Sequence, residues 1–121
     1  MTIPPDEFDR IATRALRLIP GRFRRLLKNV VLVVEQEPPR SDLLGLYEGR
    51  PMTHRSIVES FTLPDRITIY QGPHERLARN RAELEQMVAD TVWHEIAHHF
   101  GMDETRVRRA ERRRARERRI R

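Results

Sequence analysis

His94 and His98 stand four positions apart with Glu95 beside the first, in the run Thr91-Val92-Trp93-His94-Glu95-Ile96-Ala97-His98-His99-Phe100-Gly101-Met102-Asp103-Glu104. On a helix this spacing stacks the two imidazoles one turn apart on one face. Two such rings can close on a single zinc ion through the same nitrogen type. Glu95 falls about 100° round the helix from His94, near enough to reach a metal-bound water without being a ligand. Gly101 ends the helix, since glycine takes a left-handed turn readily, and the turn can carry Asp103 or Glu104 back as a third ligand. Two histidines, a carboxylate and an open position for water make the layout of a catalytic zinc site. The competing reading is a core helix with satisfied histidines. Three of the five histidines within six residues weigh against it.

The helix that must hold these groups is predicted over residues 81–101. Ala89, Val92, Trp93, Ile96, Ala97 and Phe100 fall within about 140° of its circumference. His94, His98 and Met87 gather on a different side, within about 40° of one another. One side is therefore expected to pack on the domain and another to present ligands. Earlier in the chain, Pro4-Pro5-Asp6-Glu7 opens a helix over 5–18, with Phe8, Ile11, Ala12, Ala15, Leu16 and Ile19 as its apolar stripe. Pro20-Gly21 breaks it, and Phe23, Leu26, Leu27 and Val30 suggest a second short helix. The β-branched run Val30–Val34 reads as a strand apolar on both faces, hence a central one. A short strand is expected near 44–48, and Arg66–Tyr70 alternates as a half-buried strand stopped by Gly72-Pro73. Pro73 opens one helical turn through Ala78. His54 and His74 sit in loop-like sequence and are expected to be solvated, and His99 to make a surface hydrogen bond or one supporting the site.

His94-Glu95-x-x-His98-x-x-Gly101-x-x-Glu104 resembles the zincin metallopeptidases, and most of all the Asp-zincin pattern, which ends in aspartate. The wider run, from Leu43-Leu44-Gly45-Leu46-Tyr47-Glu48-Gly49 through Leu63–Tyr70 to His98-His99-Phe100-Gly101, is similar to the small bacterial proteins called mini-zincins. The resemblance covers about residues 5–105. It implies an α+β fold: a minimal zincin-like domain whose mixed sheet of about three strands packs with N-terminal helices and an active-site helix. It also implies Zn2+ held by His94, His98 and Glu104, with Asp103 as the alternative third ligand, and Glu95 as general base in peptide hydrolysis. Glu104 departs from the pattern's aspartate by one methylene but remains a hard-oxygen ligand. The resemblance further assigns the strand ahead of the zinc helix to the cleft wall, pairing with an extended substrate. Tyr70 and Tyr47 are candidate donors to the oxyanion.

No cysteine is present, which excludes disulfides and Cys-rich metal sites. No stretch reaches the length of a membrane span and no basic-then-apolar leader begins the chain, so a cytoplasmic location is expected. The net charge of +6 is unevenly distributed. Residues 106–121 carry ten arginines and two glutamates, while residues 1–105 come to −2. We therefore divide the chain into a domain over 1–105 and an Arg-rich helical tail over 106–121. Arg108, Arg109, Arg112 and Arg113 of the tail are candidates for nucleic acid or another polyanion. Solubility is the plain alternative. Peptide or unfolded protein is the expected substrate, and the sequence sets no oligomeric state. Two other functions remain compatible with the pattern: a zincin-like scaffold with an inactive site, or a nucleic-acid-associated protein whose metal is structural.

Overall fold

The computed structural model describes residues 1–24, 27, 29–40, 43–49, 64–100 and 116. Its elements are α1 (Pro5–Arg17), α2 (Gly21–Arg24), β1 (Val30–Glu35), β2 (Gly45–Glu48), β3 (Asp65–Tyr70), α3 (Gln71–Leu77) and α4 (Arg81–His99). This is the expected α+β domain with a small mixed sheet.

Helix α1 begins where Pro4 caps in extended geometry and Pro5 supplies a preset φ. Asp6 and Glu7 sit at its positive end, and Arg14 and Arg17 at its negative end. Phe8, Ile11, Ala12 and Ala15 are buried along one stripe. They join Leu84, Val88, Val92 and Ile96 of α4 and Ile67 and Ile69 of β3 in one core. Each fully buried large aliphatic or aromatic side chain there contributes roughly 1.5–3 kcal/mol. Helix α4 starts at Asn80, whose side-chain oxygen accepts the Glu83 N–H at 2.8 Å. That cap stabilises by about 1 kcal/mol and sets the register for everything after it.

The sheet order is β1-β3-β2, with β1 parallel and β2 antiparallel to the central strand. This corrects the reading of the valine run as central. Among the described strands β1 lies at an edge, its residues are half-buried at best, and Val31 is 41% exposed. β3 has a neighbour on each side and is buried at every position but Arg66. A strand's neighbours are decided by non-local pairing, and apolar composition alone does not report it. Pro73 lies inside α3 rather than opening it, because the helix already starts at Gln71. The Gly72 N–H donates to Gln36 O at 2.8 Å, and a side chain at Gly72 would strike Glu37 and that same carbonyl. The close packing explains the glycine. No helix among the described residues is long and apolar enough to cross a membrane.

Candidate metal centre

Four turns into α4, His94 and His98 present the same atom to one another. Their Nε2 nitrogens are 3.2 Å apart, and the ring planes meet at 67°. Both residues are half-buried, unlike their neighbours Trp93, Glu95, Ile96, Ala97 and His99, which are buried. Two nitrogens bound to one tetrahedral zinc at about 2.0–2.1 Å would stand about 3.3 Å apart. The pair fits that separation as it stands. Two neutral rings share a hydrogen bond here only if one carries its proton on Nε2 and the other on Nδ1. A shared cation would instead ask both rings to carry the proton on Nδ1.

Glu95 points away from solvent, at 7% exposure. Strand β2 crosses beside it: a Cβ built on Gly45 would lie 2.7 Å from Thr91 Cγ2 and 3.2 Å from Glu95 Cγ. Only glycine lets the β2 backbone come this close to α4. Tyr70, at the end of β3, is 2% exposed. Burial, with the nearby carboxylates of Glu35, Glu48 and Glu95, holds its phenol above the usual range and so in its proton-donating form. The Tyr47 hydroxyl donates to Asp65 Oδ2 at 2.8 Å.

The same carboxylate oxygen takes a bond from His99 Nδ1 at 2.7 Å. His99 is 1% exposed, so the surface half of its expectation fails and the supporting hydrogen bond is what is found. His74 also departs from expectation. It is fully buried, with Nδ1 2.6 Å from Tyr70 O and Nε2 2.8 Å from Thr91 Oγ1. Burial presses its pKa down, and the bond to the Tyr70 carbonyl opposes this. Both histidines tie β3 or its following turn to α4. Their partners lie 34 and 17 positions away in the chain, beyond the reach of local sequence patterns. Gly45 and Asp65 fall within the runs Leu43–Gly49 and Leu63–Tyr70 that carry the family resemblance, and that was the signal available for them.

Among the described residues no group of three His, Cys, Asp or Glu side chains is set to hold a metal ion. Both candidate third ligands, Glu104 and Asp103, lie outside the described residues. So do Gly101, His54 and the tail arginines Arg108, Arg109, Arg112 and Arg113. A cleft of about 300 Å3 opens elsewhere, between Met1, Gln36, Glu37, Glu75 and Arg76, and includes no residue of α4.

The family model for zincin-like metallopeptidases matches residues 27–114. The chain belongs to this family. No curated protein matches it by sequence. For a zincin-like chain the position of β2 bears on the expected cleft wall. Strand β3 has both its edges filled by β1 and β2, so it cannot pair with a peptide as the resemblance had suggested. Among the described strands the outer one beside α4 is β2.

Proposed function

We propose that this chain is a zinc-dependent peptidase in which His94, His98 and Glu104 hold the metal and Glu95 acts as general base. Asp103 is the alternative third ligand. The observation that carries the reading is the Nε2 pair at 3.2 Å, with the buried Glu95 on the same helix. Zinc bound there would supply Lewis acidity, bringing the pKa of water toward neutrality and polarising a peptide carbonyl. Glu95 takes the proton from the attacking water and returns it to the departing amine. Its burial against Gly45 keeps the carboxylate aimed rather than solvated. Tyr70, whose phenol is held above the usual range first of all by burial, also feels the charge of Glu95. Tyr47 is engaged by Asp65 and serves to hold β2 in place.

Substrate would lie extended along the edge of β2 that no described strand fills, where main-chain hydrogen bonds bind irrespective of side-chain sequence. A four-residue strand offers few such bonds, which favours an unfolded segment over a folded protein.

The test pairs metal uptake with turnover. Wild type should take up about one zinc per chain in calorimetric titration and cleave an unfolded protein substrate. Glu95→Gln should bind zinc equally well and lose about 10²–10⁴-fold in rate. Undiminished cleavage by Glu95→Gln would remove the general base, and absence of zinc uptake by metal-depleted wild type would remove the enzyme.

A further inference from the structure

Thr91 stands one turn before Glu95 on α4, on the same face of the helix. Helical side chains lean toward the amino terminus, so the Glu95 stem lies back over Thr91. Both side chains are nearly sealed, Thr91 at 6% exposure and Glu95 at 7%. They also meet β2 at one point, because the space a side chain at Gly45 would fill is bounded by Thr91 Cγ2 and Glu95 Cγ. A methyl group on α4 and a bare backbone on β2 therefore enclose the stem of the carboxylate.

Thr91 is itself held from outside α4. Its hydroxyl lies 2.8 Å from His74 Nε2 and 2.9 Å from the Met87 carbonyl oxygen, and has one proton for the two. His74 decides between them. Burial keeps its ring neutral by pressing the pKa down. A carbonyl only accepts, so Nδ1, 2.6 Å from Tyr70 O, carries the one proton of the ring and donates it. Nε2 is then an acceptor, and the Thr91 hydroxyl donates to it. The ring has little room to yield. It is fully buried and packs against Phe8 of α1, with centroids 5.8 Å apart. Its helix, α3, is tied down in turn, since Gln71 and Glu75 bond the backbone of Ile3.

We infer that Thr91 is a positioning residue for the general base: its methyl group is the floor under the Glu95 stem, and the bond to His74 locks that methyl in place. The inference rests on Glu95 acting as proposed above. Aim matters because a displacement of about 1 Å at a reacting group can cost on the order of a hundredfold in rate. A missing floor lets the stem drop while His94 and His98, on the other side of the helix, stay where they are.

Thr91→Ser keeps the hydroxyl for His74 and removes only the methyl. In the full chain loaded with zinc it should lower kcat on the order of tenfold on an unfolded protein substrate. KM, zinc affinity and the circular dichroism spectrum should stay near wild type. His74→Leu, which withdraws the acceptor, should lower kcat to a similar extent, and His74→Gln, which offers one again, should recover part of the loss. In metal-free protein, three-bond couplings to the Thr91 methyl should report one χ1 rotamer in wild type and an average in His74→Leu. In the Glu95→Gln background Thr91→Ser should cost nothing further, because the group it positions is gone. Wild-type kcat in Thr91→Ser, or the same tenfold loss persisting beside Glu95→Gln, would overturn the inference and leave the general base standing. Undiminished cleavage by Glu95→Gln alone would instead remove the base, and with it the group that Thr91 positions.

Discussion

The four histidines among the described residues divide into two kinds. His94 and His98 turn like atoms toward each other on the half-open side of α4. His74 and His99 are sealed in the interior, each bonded to a group on another element. The first pair already stands at the separation that a shared cation would ask of it. The second pair cannot move without leaving a carbonyl, hydroxyl or carboxylate of the interior unsatisfied. The same residue type thus faces a like ring in one place and ties separate elements together in another.

The sharpest way to break this division is to remove each ring in turn and read metal and stability together. His94→Ala or His98→Ala should weaken zinc by more than about a hundredfold, and change stability by only about 0.5–1 kcal/mol. Zinc binding that survives either change would mean that the pair is not the metal's anchor. His99→Ala should do the reverse, lowering unfolding free energy by about 2–4 kcal/mol because it leaves Asp65 buried with one partner fewer. A denaturant titration in which His99→Ala matches wild type would place it with the first kind.

Gly45 sharpens the comparison from the strand side. Gly45→Ala should cost about 1–3 kcal/mol by forcing β2 off Thr91 and Glu95. It should lower peptide cleavage while zinc affinity stays near wild type, since neither histidine is touched. An Ala variant with full activity and stability would show that β2 can retreat freely.

The smallest effect is in pH. His74 is held below its ordinary pKa by burial, so the unfolded chain binds its proton more readily than the folded one. Its contribution to stability is present above about pH 6.5, and is lost as pH falls through the lower folded value. Thermal melts of wild type should therefore soften on acidification across this window, and His74→Gln should flatten that part of the profile. A parallel decline in both proteins would assign the acid sensitivity to other groups.

Much of this arrangement was legible in the sequence. The apolar stripe of α1, the alternation of β3 and the spacing within α4 are local patterns, and each produced its element within a few residues. The histidine pair was legible for the same reason, since i and i+4 on a helix must meet. What the sequence misplaced is non-local. The run 30–34 is apolar enough for a central strand, yet β3 takes that place by pairing on both sides. His74 looks like a solvent residue because its sequence is loop-like, and His99 because it lies about 140° round the helix from His94, while their neighbours in space come from other elements. Glu104 and Asp103 follow from motif register alone.

The strand order also bears on how the chain is made. β1 and β2 flank a central strand that follows both of them in sequence, so neither has its partner until residues 65–70 have been synthesised. For that interval an aliphatic strand of six residues waits unpaired, exposed to any other unpaired strand nearby. Helix α4, which must cover the finished sheet, comes later still. The described sheet therefore cannot be complete before β3 has been made. A nascent chain halted before β3 would hold β1 and β2 without the strand that joins them, a state for chaperones.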